Sequence, residues 1–164
     1  MPKYHYRYRK PQRRHFPIRL TLVALALLAL CIYPFIEATM LTVDKHTVQV
    51  ANLPANLKNL KIVYATDIHQ GRWFSQSRVN ELVKTINSLS ADLVILGGDY
   101  AEDSDGAIAF FENLPSISAR IGVYAVLGNH DRTEPESNLS VLIGTIKGRG
   151  IIPLVNNVAA VKRG

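Results

Sequence analysis

The sequence holds one cysteine in 164 residues, Cys31, so no disulfide can form within the chain. Leu30 precedes it where a lipoprotein signal needs a small residue, and Cys31 reads as a small apolar member of a membrane segment. Acidic residues are missing from residues 1–19, which carry seven of the 19 Lys and Arg: Lys3, Arg7, Arg9, Lys10, Arg13, Arg14 and Arg19. What remains has 12 basic and 13 acidic side chains, a nearly neutral domain behind a basic tail. That balance argues against a broad nucleic-acid surface on the domain, and no nucleic-acid partner is expected. Internal repeats are absent, as is any low-complexity tract beyond the tail. Histidine is absent after His130.

Charge is also missing from residues 20–36, LTLVALALLALCIYPFI, a run of 17. As a helix it spans roughly 25 Å at ~1.5 Å per residue, against a bilayer core about 30 Å thick. Arg19 can snorkel outward and Tyr33 can sit in the interface. The following EATML offers no small-x-small cleavage site, which favours an uncleaved signal anchor over a removed signal. Seven Lys and Arg precede the run and only Lys45 follows closely. The positive-inside rule then predicts a single-pass cell-membrane protein, its amino terminus cytoplasmic and its domain outside. The tail YHYRYRKPQRR reads as disordered, either held at anionic head groups or simply solvated. Arg13, Arg14, His15 and Phe16 give only part of a twin-arginine export signal.

Beyond the anchor, Leu41, Val43, Val48 and Val50 alternate enough to predict an edge strand or hairpin within residues 37–57, ending in a loop at Pro54. A domain over residues 58–164 then follows a strand, loop and helix rhythm. Strands are predicted at 61–65, 93–96 and 123–127. A helix capped by Ser77 shows the apolar face Val79, Leu82, Val83, Ile86 and Leu89. Further helices are predicted at 107–114, closed by Pro115, and at 139–147, ending at Gly148. Strands at 151–155 and 158–161 are joined by Asn156 and Asn157. The alternation implies an α/β layer architecture, in which ligands gather beyond the carboxyl ends of the strands.

Those ends carry the chemistry. The first strand exits into Thr66-Asp67-Ile68-His69, the second into Gly97-Gly98-Asp99, the third into Gly128-Asn129-His130-Asp131. Each interval, 32 residues from Asp67 to Asp99 and 30 from Asp99 to Asn129, fits one helix with its loops. Singly, each is explained by a cap or a turn. Together they put Asp, His, Asp, Asn and His on one rim, all ligand-competent.

Asp67-x-His69, Gly97-Gly98-Asp99 and Gly128-Asn129-His130-Asp131 resemble, in order and spacing, the opening motifs of the calcineurin-like metallophosphoesterases. The resemblance covers about residues 58–164. The leader followed by LPANLKNLKIVYATDIH is further similar to the membrane-associated bacterial YkuE/YaeI-type branch. It implies the amino-terminal part of an αββα sandwich behind one transmembrane helix. It implies a hydrolase, a phosphodiesterase, working with two divalent metal ions (manganese, iron or zinc) and a metal-bridging hydroxide. Asp99 would bridge the metals, Asp67 and His69 would hold the first, and Asn129 the second. His130 would sit over the scissile phosphate and protonate the leaving oxygen, with Asp131 orienting its ring. The substrate is a phosphoester, and the membrane leader suggests a lipid- or envelope-linked one.

The chain departs from that pattern downstream. The family completes its centre with further histidines, one alone and then a Gly-His-x-His signature, and none is present here. The first metal lacks one ligand and the second lacks two, so weak binding and slow turnover are expected. The ending Lys162-Arg163-Gly164 after a strand-like run reads as an amino-terminal fragment, exposing apolar surface where further strands would pack. A non-catalytic membrane-anchored fragment or binding module that keeps the loops is the alternative. Glu102 stands where many relatives carry Asp. His46 reads as a surface histidine, and Asp103 and Asp105 as a solvated helix start. Trp73 and Phe74 could wall a substrate groove, dip into the membrane interface or pack ordinarily.

Overall fold

The computed structural model describes residues 17–37, 40–133 and 137–162. Most of the basic tail, with His5, His15 and the Arg13-Arg14 pair, lies outside them. The chain divides into two units, Met1–His46 and Thr47–Gly164.

The first unit carries helix α1, Ile18–Glu37. Its 20 residues, mean hydropathy 2.2 and lack of any buried residue make it long and apolar enough to cross a membrane. At ~1.5 Å per residue it reaches about 30 Å. Pro34 falls near its end, where the missing N–H removes only one bond, to the carbonyl of Leu30. Residues 40–50 form no strand, contrary to the alternation of Leu41, Val43, Val48 and Val50, all four of which are exposed. Strand conformation needs a neighbour's free backbone, and among the described residues no ladder includes this segment.

The second unit begins with a 3-10 turn, Ala55–Leu57, behind Pro54. Four parallel strands follow: β1 Ile62–Ala65, β2 Leu93–Leu96, β3 Gly122–Ala125 and β4 Ile152–Pro153. They lie in sequence order, β1-β2-β3-β4. The register aligns Ile62 with Leu93 and Gly122, and Tyr64 with Ile95, Tyr124 and Ile152. Helices α2 Gln76–Ser88, α3 Ser104–Asn113 and α4 Ser137–Gly148 connect successive strands. Right-handed crossovers repeated in one direction put every helix on the same face of the sheet. On that face Val94, Leu96, Val123 and Ala125 meet Val79, Val83 and Ile86 of α2, Phe110 and Phe111 of α3, and Leu142 and Ile146 of α4. The i, i+4, i+7 spacing in α2 explains its seat. The opposite face keeps Ile62, Tyr64 and Ile152 exposed, at 50%, 62% and 44%.

Boundaries move by a few residues. Ser75, not Ser77, is the N-cap position of α2. Helix α3 starts at Ser104 because Asp103 caps it, its side chain accepting from the Gly106 amide at 2.7 Å. The predicted strand at 151–155 shrinks to Ile152–Pro153, and residues 158–161 form no strand. Asn156 takes a left-handed φ of 49°, which turns the chain, and Val158 is 90% exposed with no ladder beside it among the described residues. At the amino end of the sheet, buried Asp92 accepts from the Lys61 amide at 2.8 Å and pairs with Arg120 at 2.7 Å, aligning the starts of β1 and β3 with β2.

Candidate metal centre

Backbone hydrogen bonds carry the ladder beyond the strands. Gly97 donates to Ala65 at 2.7 Å, Asp67 to Gly98 at 3.0 Å, His69 to Asp99 at 3.0 Å and Gln70 to Tyr100 at 2.8 Å. Gln70 and Ala101 form a further parallel bridge. The exits of β1 and β2 therefore run side by side, and the residues of Asp67-x-His69 stand next to Asp99. The ligand-competent atoms of these three residues all lie within 4.8 Å of one another. All three adopt left-handed backbones, with φ of 54°, 45° and 54°. Such angles are disfavoured for residues with a Cβ and collect at functional sites. Two carboxylates and an imidazole converging this closely form a donor set suited to a divalent cation.

The third exit locks onto the second. The Asp131 side chain is wholly buried, and its carboxylate accepts from the amides of Asp99 at 2.8 Å, Tyr100 at 3.0 Å and Gly128 at 2.8 Å. The His130 amide donates to Asp99 Oδ1 at 3.0 Å. The Tyr100 hydroxyl donates to the Val126 carbonyl at 2.7 Å, with the Leu96 carbonyl at 3.1 Å. Burial, followed by the charge of Asp131, pushes the Tyr100 phenol well above its usual range. The loops cross so tightly that a Cβ on Gly98 would run into the Gly128 amide, and one on Gly128 into the Asp99 carboxylate. Both glycines are thus required by close approach, and Gly98 also by its φ of 97°.

Asp131 does not orient the His130 ring, as the motif suggests. Its oxygens are committed to backbone amides. His130 Nδ1 instead meets the carbonyl of Glu102 at 3.0 Å. That contact raises the imidazole pKa most; partial desolvation opposes it, and the charges of Asp99, Glu102 and Asp131 add to the rise. The His130 ring stands edge-on to His69, centroids 4.9 Å apart. Glu102, given little weight by the sequence, approaches His69 Nδ1 at 3.6 Å and forms a second potential ligand group with His69 and His130. Its signal was its place three residues after Asp99. Asn129 is exposed at the start of the 3-10 turn His130–Arg132 and caps nothing there with its side chain. Its neighbours are tied down, Gly128 to Asp131 and His130 to Asp99.

The sequence pattern of the calcineurin-like phosphoesterases matches residues 60–160. The chain is 32% identical over 117 residues to a zebrafish (Danio rerio) transmembrane protein with metallophosphoesterase domain, covering 69% of this chain and 26% of that protein. It is 27% identical over 100 residues to the uncharacterized metallophosphoesterase YkuE of Bacillus subtilis, 59% of this chain and 35% of YkuE. With the phosphodiesterase YaeI of Escherichia coli the identity is 28% over 108 residues, 65% of this chain and 40% of YaeI. The chain therefore spans about a quarter to two fifths of the length of these relatives. The match runs from β1 through β4 and takes in all three strand exits, and on it the chain belongs to the calcineurin-like phosphoesterase family.

Proposed function

We propose that this chain carries metal-binding strand exits of a membrane-anchored, metal-dependent phosphoester hydrolase, a phosphodiesterase with a dinuclear centre. One observation carries the reading: Asp67, His69 and Asp99, on two different strand exits, bring their ligand atoms within 4.8 Å of one another on left-handed backbones. Asp67 and His69 would hold one cation, Asp99 would be shared, and Asn129 would serve the second. Divalent ions bound there, manganese, iron or zinc, would neutralise phosphate charge and bring water's acidity toward neutral pH. His130 is the proton donor to the leaving oxygen. Its Nδ1–H donates to the Glu102 carbonyl, so Nε2 of the protonated ring is the atom left to give up the proton as the ester bond breaks. Asp131 acts through the backbone, fixing the loops that present Asp99 and His130. Residues 20–36 anchor the chain, 37–57 form the juxtamembrane segment, and 58–164 lie outside the cytoplasm. The apolar α1 supports the anchor, and a lipid- or envelope-linked phosphoester fits the location.

Manganese binding by calorimetry and hydrolysis of bis-p-nitrophenyl phosphate test the reading on the full chain. Asp99→Asn is expected to abolish both. Unchanged binding and turnover in that variant would refute the metal assignment. A second reading is a non-catalytic binding module that keeps the three strand exits and the ligand group Asp67, His69 and Asp99. Binding that is lost on Asp99→Asn, with no hydrolysis at any metal concentration, would favour that non-catalytic module.

A further inference from the structure

Beside His69 the surface opens into a groove of about 440 Å³, lined by His69, Arg72, Trp73, Phe74, Arg78 and Glu102 among others. Trp73 is 82% exposed. An indole in that position forgoes the burial that ordinarily favours it, yet the loop beneath it is fastened. The Gln70 amide donates to Tyr100 at 2.8 Å and the Gly71 amide to Phe74 at 3.1 Å. Arg78 donates to the Trp73 carbonyl at 3.3 Å and lays its guanidinium 4.4 Å over the Phe74 ring, which packs on the core. Arg72 stands 5.7 Å over the Trp73 ring, and among the described residues no carboxylate pairs with it. A fixed, open aromatic plate with two guanidiniums therefore adjoins a metal-competent histidine.

We propose that this groove is the binding site for the organic part of the substrate, and that the substrate class is phosphoesters bearing a planar aromatic group. The group stacks on Trp73 while Arg72 and Arg78 favour the anion. The proposal rests on the phosphoester reading of the neighbouring centre and narrows it. A tryptophan serving only as a membrane contact would need no flanking charges of both signs, and here Arg72, Arg78 and Glu102 rim the same groove.

Trp73 is the chain's single tryptophan, so its emission reports on this groove alone. The full chain in detergent micelles, supplied with zinc, is titrated with phenyl phosphate, methyl phosphate and inorganic phosphate, and zinc binding is followed by equilibrium dialysis. Phenyl phosphate is expected to change the emission saturably at concentrations where the other two leave it unaltered. By calorimetry, Trp73→Ala should weaken phenyl phosphate binding roughly three- to tenfold, the usual worth of an aromatic pair, and Trp73→Phe should keep most of the affinity. With zinc bound, an equal response to all three ligands, or none, overturns the groove assignment and leaves the metal centre standing. Quenching by brominated acyl chains in a reconstituted bilayer, without a phenyl phosphate response, makes Trp73 a membrane contact and also overturns it. Zinc binding that is absent, or that survives Asp99→Asn, defeats the metal reading itself and the groove assignment with it.

Discussion

The carboxylate of Asp131 gathers amides from two loops, those of Asp99 and Tyr100 after β2 and that of Gly128 after β3. Each is a charge-assisted bond inside a wholly buried pocket. Removing the acceptor strands three donors away from water, and a single stranded donor costs about 1–3 kcal/mol. Asp131→Ala should therefore lose at least about 3 kcal/mol of stability in urea denaturation, and its affinity for manganese should fall as Asp99 loosens. Asp131→Asn should lose less, because its amide oxygen can still accept from Asp99 and Gly128, which share one carboxylate oxygen, and only the Tyr100 amide then faces an N–H group. A loss under about 1 kcal/mol in both would mean that the loops hold without this carboxylate. Glycine 128 makes the complementary point. A methyl group there meets the Asp99 carboxylate, so Gly128→Ala should weaken manganese binding by calorimetry while leaving the helices, seen by circular dichroism, in place.

At the scale of elements, three neighbouring acids divide the work. Asp99 joins Asp67 and His69 in the candidate ligand group, Glu102 meets the histidines, and Asp103 caps α3. Asp103→Ala should cost about 1 kcal/mol, the usual worth of an N-cap, and leave manganese affinity unchanged; a loss of affinity would tie the cap to the site. The sequence made the helices and inner strands legible because burial imposes period: Val79, Val83 and Ile86 mark a helix face, and 93–96 is a continuous apolar run. It also showed Asp67, His69 and Asp99, since ligand-competent side chains at strand ends have little other reason to coincide. It misread 40–50 and 158–161 because strand conformation belongs to a pair, and alternation in one segment does not reveal whether a partner exists. The role of Asp131 was hidden for a related reason. Two of its partners lie 31 and 32 residues away, and hydrogen bonds to backbone leave no mark on the partner's residue type. Glu102 acts on His130 through its carbonyl, which any residue carries, so its identity alone could not disclose that contact.

At the scale of the whole unit, topology sets what remains open. Four parallel strands in sequence order place all three helices on one face. Layered folds ordinarily bury both faces of such a sheet. Here Tyr64 and Ile152, aligned through Ile95 and Tyr124, share with Ile62 a face that is exposed on its edge strands, while Leu93 and Tyr124 in its middle are buried. If those edges are bare, a charge on them meets water. Ile62→Lys and Ile152→Lys should each stay within about 1 kcal/mol of the parent, the range of strand propensity at an edge. Val94→Lys, on the helix side and fully buried, should prevent folding, since an unpaired buried ammonium has no compensation. The two surface lysines should also reduce self-association of the full chain in sedimentation, because contiguous apolar surface is what draws copies together. Losses of several kcal/mol from both would show that something covers the face, and the one-sided sheet would have to be abandoned.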